Sequence, residues 1–275
     1  MFMMDEGLQR KTEKLKELLL SYGQVAVAFS GGVDSTLLLK VARDCLGTDR
    51  VLAITAQSDF VPAADICEAQ EFCRQEGVRH ELAELTPLLY DDVRTNPADR
   101  CYFCKRLVFV KLREIAGSAG IVHLLDGTNV DDQGDYRPGA RAVKELGVQS
   151  PLQEAGFAKA DVRALSAQLG LRTATKPSAA CLASRIPYGE EITPDKLRRV
   201  EAAEDFLHEA GFAQVRVRSH QDLARIELPQ ADIAAFMCGH YQQAAHKFRE
   251  LGFAYVTLDL DGYRTGSLNE ALKGK

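Results

Sequence analysis

The sequence predicts an α/β protein: a doubly wound parallel sheet, Rossmann-like, followed by a second and smaller α+β domain. Three observations carry that reading. A short apolar run at 25–29 ends in Ser30-Gly31-Gly32-Val33-Asp34-Ser35 and passes directly into a helical pattern. Further apolar runs of strand length at 51–55, 79–85 and 121–125 alternate with segments long enough for helices. Beyond residue 193 the pattern changes to one helix followed by two alternating strands.

In chain order, the leucines at 8, 15, 18 and 19 recur with helical spacing, so 5–22 is a packing helix that Gly23 stops. The strand at 25–29 and the helix after the glycine turn follow. A second strand at 51–55, a helix at 62–77 and a third strand at 79–85 repeat the alternation, which pairs strands in parallel. Cys45, Cys67 and Cys73 fall within these helices and are expected to be core or surface thiols. Residues 96–105 read as a loop running into a helix at 106–119. A fourth strand at 121–125, in which His123 is a packed histidine, leads into Asp126-Gly127-Thr128-Asn129-Val130-Asp131-Asp132. Helix 159–169 closes the first domain. A helix from 193 to about 210, strands at 213–219 and 223–228, helical segments between 230 and 251, and a strand at 254–260 form the second. The expected division is a nucleotide-binding domain at 1–172, a functional linker at 173–192 and a smaller substrate-binding and oligomerisation domain at 193–275.

Composition narrows the function classes. The 275 residues are 46% hydrophobic and 27% charged, as in an ordinary globular protein, and no apolar run reaches membrane-spanning length. The opening residues lack a basic stretch followed by an apolar one, so a cytoplasmic location is expected. A net charge of -5 argues against a nucleic-acid-binding surface. In a reducing compartment, seven cysteines point to metal or sulfur chemistry wherever they cluster.

In sheets of this class the ligand lies beyond the carboxyl ends of the strands. The backbone amides of the Gly31-Gly32 turn and the positive end of the following helix make an anion site there. Ser30 and Ser35 add hydroxyls, and Asp34 is placed to hold a magnesium ion bridging phosphates. Gly127 permits close approach of a nucleotide, and Asp131, Asp132 and Asp135 would meet metal or sugar hydroxyls or form a solvated acidic loop. The glycines are not followed by Gly-Lys-Ser, and the motif is not the dinucleotide Gly-x-Gly-x-x-Gly. Ser-Gly-Gly-Val-Asp-Ser after an apolar strand resembles instead the PP-loop of the ATP pyrophosphatases, which cleave ATP to AMP and pyrophosphate.

Three further groups carry chemistry. Cys101 and Cys104, three apart at a helix start beside Lys105 and Arg106, suit one shared ion. The aperiodic stretch 175–190 carries Cys181, its reactive atom, together with Lys176 and Arg185, either of which would stabilise charge near a reacting carboxyl. Arg216 and Arg218 project on one strand face, where an arginine pair suits a phosphate monoester, with Arg264 completing it. Arginines on the open face of a sheet are the ordinary alternative. Glu201 and Glu204 share one side of a helix, where they would order the arginines or, as glutamates on helices ordinarily do, stay solvated.

Over nearly the whole chain the sequence resembles the LarE family, ATP-dependent sulfur transferases of nickel-pincer cofactor biosynthesis. The likeness rests on the PP-loop, Asp135-Tyr136-Arg137-Pro138-Gly139, Ala183-Ser184-Arg185-Ile186-Pro187-Tyr188-Gly189, Val215-Arg216-Val217-Arg218 and Asp261-Gly262-Tyr263-Arg264-Thr265-Gly266. It implies that ATP adenylates a carboxylate of a pyridinium biscarboxylate mononucleotide, that pyrophosphate leaves onto the loop 30–35, and that a sulfur nucleophile displaces AMP. It also implies a homohexamer. Cys101, Cys104 and Cys181 resemble the branch of the family that holds a [4Fe-4S] cluster, with one iron left open for hydrosulfide. Zinc, a redox thiol pair and a sacrificed Cys181 are the alternatives. So, for the whole chain, are a transfer-RNA thiolase and a nucleotide sensor without catalysis.

Overall fold

A computed structural model of the chain describes residues 6–133, 138–177, 181–264 and 266–268. In chain order it contains α1 (Glu6–Tyr22), β1 (Val25–Ala28), α2 (Val33–Leu46), β2 (Val51–Gln57), α3 (Ala63–Glu76), β3 (Arg79–Glu84), α4 (Asp91–Arg94) and α5 (Arg100–Ser118). Then come β4 (His123–Leu125), α6 (Pro138–Glu145), α7 (Pro151–Glu154), α8 (Lys159–Gln168) and α9 (Pro194–Glu209). The chain closes with β5 (Arg216–His220), β6 (Leu223–Glu227), α10 (Gln230–Gly239), α11 (Tyr241–Glu250) and β7 (Tyr255–Leu258). It divides into two compact units, Met1–Thr86 with Cys101–Ala179 and Pro87–Arg100 with Ala180–Lys275. Among the described residues no helix is long and apolar enough to cross a membrane.

The first unit holds a four-stranded parallel sheet of order β3-β2-β1-β4, with helices on both faces. Side chains alternate across a strand, so Val25, Val27 and Ala53 face a cluster with Leu15, Leu19, Leu37 and Leu38 of α1 and α2. Ala26, Leu52 and Ile54 face the opposite cluster, with Phe109 and Leu112 of α5. Burying each leucine contributes about 1.5–3 kcal/mol. The chain runs from β1 outward to β2 and β3, then returns to place β4 on the other flank of β1. That reversal makes the carboxyl ends of β1 and β4 the switch point where such sheets bind ligands.

One element starts earlier than the pattern suggested. The helix expected from 106 begins at Arg100, so Cys101 and Cys104 lie in its first turn rather than in a loop. Asn96 adopts a positive φ of 56°, and the Arg100 amide donates to the Pro97 carbonyl, so the chain becomes helical as soon as the proline is passed.

In the second unit, the segment 87–100 joins the residues that follow Cys181. The Ile192 amide donates to the Arg94 carbonyl at 2.9 Å and the Gly189 amide to the Asn96 carbonyl at 2.8 Å. Thr193 caps α9, its hydroxyl accepting from the Lys196 amide at 3.3 Å. The three-stranded sheet has the order β5-β6-β7, antiparallel then parallel. Val217, Ala224 and Ile226 pack its inner face against Ala203, Leu207 and Phe248. The alternation places Arg216, Arg218, Arg225 and Glu227 on the other face.

Candidate active site

The site in the first unit is built from the β1–α2 turn. Gly31 takes a positive φ of 69°, which a side chain would strain, and Gly32 sits at the N-cap of α2. Ser35 Oγ accepts from the Ser30 amide at 3.3 Å and donates to the Gly32 carbonyl at 3.2 Å. The Ser30 and Ser35 hydroxyls share a hydrogen bond at 3.2 Å, and the Gly32 amide donates to Ser30 Oγ at 3.4 Å. The serines thus hold the turn closed at the positive end of a 14-residue helix, where anions are favoured.

The loop after β4 meets this turn directly. A Cβ on Gly127 would lie 2.9 Å from the Ser35 amide nitrogen, so only glycine lets the two backbones approach. Asp126 is buried and accepts from the Thr128 and Ser150 hydroxyls at 2.6 Å each. Asn129 Nδ2 donates to Asp34 Oδ1 at 3.0 Å, and Lys159, the first residue of α8, pairs with the other oxygen of Asp34. Asp131 and Asp132 each accept from a backbone amide, of Lys159 at 2.7 Å and of Asn129 at 3.0 Å. Asp135 lies outside the described residues, as do Tyr136, Arg137, residues 178–180 and Thr265. Sequence reasoning gave no role to Asn129 or Lys159. Lys159 lies 125 positions from Asp34, and no local pattern joins them.

A cavity of about 540 Å³ opens beside the turn, with Gly31, Thr36, Phe72, Arg172 and Lys176 in its wall. Lys176 is turned to α3, donating to Asp65 at 2.8 Å and Glu68 at 2.6 Å. Burial pulls its pKa down, but the two carboxylates outweigh burial and hold it above the ordinary value.

Cys101 and Cys104 are half-buried on the first turn of α5 in the first unit, and Cys181 is exposed in the second. Two thiols at i and i+3 on a helix fit two ligand positions of one thiophilic ion or cluster. Among the described residues no three His, Cys, Asp or Glu side chains converge as a metal-binding group. Cys73 is a core residue, 1% exposed, and burial pushes its thiol up to about 12. Cys67 and Cys238 are exposed.

In the second unit the arginines are woven into carboxylates. Arg185 is 3% exposed and grips Glu204 with both sides of its fork, at 2.9 and 2.8 Å. Glu204 also accepts from the Val217 amide at 2.8 Å. This corrects the reading of Glu204 as solvated: α9 turns it inward, where it ties the linker to β5. Arg218 grips the fully buried Glu227 at 3.0 and 2.8 Å and donates to the Ser184 carbonyl and the Ser267 hydroxyl, both at 2.8 Å. Arg225 reaches the same carboxylate at 2.9 Å. Arg216 lies against the Tyr263 ring at 5.6 Å, and its pKa is lowered by burial and then by neighbouring Arg185. Arg264 Nη1 is 3.6 Å from both Asp259 and Asp261.

A strand, a Ser-Gly-Gly-Val-Asp-Ser turn and a helix at the switch point of a parallel sheet define a nucleotide-binding domain of the PP-loop ATP pyrophosphatase class. A family profile described as NAD synthase matches residues 8–97. The chain is 45% identical over 266 residues to an uncharacterized protein of Synechocystis sp., covering 96% of this chain and 99% of that one. It is 42% identical over 265 residues to the pyridinium-3,5-bisthiocarboxylic acid mononucleotide synthase of Lactiplantibacillus plantarum, covering 96% of each. An uncharacterized protein of Methanocaldococcus jannaschii is 27% identical over 242 residues, 88% of this chain and 91% of its own. The chain belongs to the LarE family, that of the pyridinium-3,5-bisthiocarboxylic acid mononucleotide synthase.

Proposed function

We propose that this enzyme is an ATP-dependent sulfurtransferase acting on pyridinium-3,5-biscarboxylic acid mononucleotide. A carboxylate oxygen of the substrate attacks the α-phosphorus of ATP, and pyrophosphate leaves. A sulfur nucleophile then attacks the acyl carbon, and AMP leaves with the carboxylate oxygen. Two rounds yield the bisthiocarboxylate. The observation that carries this is the junction at Asp34, where an anion-binding turn and the loop after β4 meet on a chain 42% identical to the synthase.

Ser30 and Ser35 with the Gly31 and Gly32 amides hold pyrophosphate, and Gly127 lets the nucleotide lie close to the turn. Asp34 is the magnesium ligand, a hard oxygen donor at the positive end of α2. Arg216, Arg218 and Arg264 supply positive charge for the substrate's phosphate, and Arg185 orders the linker through Glu204. Cys101, Cys104 and Cys181 are the ligand set for a [4Fe-4S] cluster, which when bound supplies hydrosulfide without consuming a protein sulfur. The assembly is a homohexamer working in the cytoplasm on small molecules.

Anaerobically purified protein, incubated with ATP, magnesium, sulfide and the mononucleotide, should give AMP, pyrophosphate and a product with sulfur exchanged for oxygen. Formation of ADP and orthophosphate, or intact ATP beside the acid, overturns the reading. Iron and sulfide should accompany the protein and vanish on substitution of the three cysteines. Their absence, with Cys181 lighter by one hydrogen sulfide after turnover, would replace the cluster by a sacrificed cysteine.

A further inference from the structure

The Asp135 to Gly139 motif has no part in the chemistry above, yet the helix that begins at its Pro138 packs on Tyr102 and Lys105 in the turn of α5 that carries the two cysteines. Gly139 is buried in α6 with an ordinary helical backbone, so its missing side chain serves packing. A Cβ there would lie 2.9 and 3.1 Å from Cδ and Cγ of Lys105 and 3.3 Å from the Cys101 carbonyl oxygen. Two residues on, the Arg141 guanidinium lies 3.8 Å from the centre of the Tyr102 ring. One turn further, Glu145 accepts from the Tyr102 hydroxyl at 2.7 Å, with Arg141 Nε 3.5 Å from its carboxylate. Residues 141 and 145 are neighbours on one face of α6. The ring between the two cysteines in sequence is therefore held at its face and at its hydroxyl, while Gly139 lets α6 sit against the backbone of the same turn.

We propose that α6 braces the Cys101–Cys104 turn as a preorganised seat for a thiophilic metal or cluster, with Gly139, Arg141 and Glu145 as positioning residues and Tyr102 as the residue they grip. Cβ atoms at i and i+3 on a helix are about 5–6 Å apart. Two thiolates bound to one ion at about 2.3 Å each must come within about 4 Å of one another, so the pitch of that single turn sets the affinity. A helix start frays readily when nothing packs on it, and α6 supplies that packing.

The inference rests on Cys101 and Cys104 being ligands, and the test separates the two claims. The probe is a trivalent phenylarsenical, which bonds two neighbouring thiols, titrated into the reduced, cluster-free full-length chain. Wild type should bind it through Cys101 and Cys104, and Cys101→Ser should lose that binding. Gly139→Val and Tyr102→Leu should weaken it by about tenfold or more, as loss of supporting partners does at metal sites, with pyrophosphate release from ATP and mononucleotide unchanged. Tyr102→Phe, which keeps the ring under Arg141, should fall between. Wild-type affinity in Gly139→Val and Tyr102→Leu, with Cys101→Ser unable to bind the arsenical, overturns the brace and leaves the ligand pair standing. Failure of wild type to bind overturns the pair and the brace with it. Should Gly139→Val not fold, Tyr102→Leu decides, because its ring contacts lie at the surface.

Discussion

Asn129 Nδ2 donates to Asp34 Oδ1 at 3.0 Å and so joins the loop after β4 to the first turn of α2. Asn129 is 2% exposed, and its own Oδ1 accepts from the Asp131 amide, which fixes the amide plane. Asn129→Ala frees Asp34 Oδ1 and leaves the carboxylate held through Oδ2 by Lys159. It is expected to lower kcat/KM for ATP in pyrophosphate release by about tenfold, about 1.4 kcal/mol of transition-state stabilisation. Steady-state assay of pyrophosphate checks this, and unchanged kinetics would remove Asn129 from the site.

Lys159 occupies the other oxygen of Asp34. An ammonium there competes with a divalent cation for the same carboxylate. Lys159→Gln should therefore lower the magnesium concentration at half-maximal pyrophosphate release by about threefold, the scale of a partly exposed ion pair. Lys159→Arg should keep the wild-type dependence. A higher magnesium requirement in Lys159→Gln would mean that the lysine serves the phosphates instead.

Gly127→Ala places a methyl group 2.9 Å from the Ser35 nitrogen and 3.1 Å from the Asp34 carbonyl carbon, backbone atoms that have no rotamer to escape into. The strain costs about 1–3 kcal/mol and falls on the anion-binding turn. Thermal unfolding should show the loss of stability, and pyrophosphate release should fall by more than that of Gly117→Ala, a glycine with an ordinary φ and nothing within 4 Å of its Cβ position.

Burial pushes the Cys73 thiol from its ordinary 9.0 to about 12. In the unfolded chain this thiol ionises as pH rises through 9, whereas in the folded chain it stays protonated. The unfolded state then binds fewer protons, and stability falls as pH climbs from 9 toward 12, not below it. The melting temperature of wild type should decline more steeply over that window than that of Cys73→Ala, whatever the offset between them at pH 7. Parallel slopes would show the thiol ionising equally in both states.

What sequence made legible follows the range of the interactions involved. The strands of the first sheet and the glycine turn at its carboxyl edge come from local pattern, and α3, read at 62–77, is found at Ala63–Glu76. The facing of Arg216 and Arg218 was equally readable, because strand alternation is local. What lay across Arg218 was not: Glu227 is nine residues on, and its register depends on the hairpin. Nor was the burial of Glu204, since a glutamate on a helix is ordinarily solvated unless a distant arginine such as Arg185 meets it. The grouping of 87–100 with the second unit rests on hydrogen bonds to residues about ninety positions away, which composition does not announce.

Arg216 and Arg218 share a strand face yet should respond oppositely to removal. Arg218→Ala strips the fork from Glu227, a carboxylate with no exposed surface, and leaves Arg225 as its remaining cation. Breaking a buried pair from one side costs about 3–5 kcal/mol, so the second unit should lose stability before substrate affinity can be measured. Arg216 is lowered in pKa by burial and by the like charge of Arg185. Its removal takes away the repulsion from Arg185 together with the opposing attraction to Glu204. Arg216→Ala should therefore unfold near the wild-type temperature while raising KM for the mononucleotide by about tenfold or more, the scale of a charge-assisted hydrogen bond. Calorimetric unfolding beside mononucleotide titration distinguishes the two variants. If Arg216→Ala binds the mononucleotide as wild type does, the phosphate belongs elsewhere on the second unit.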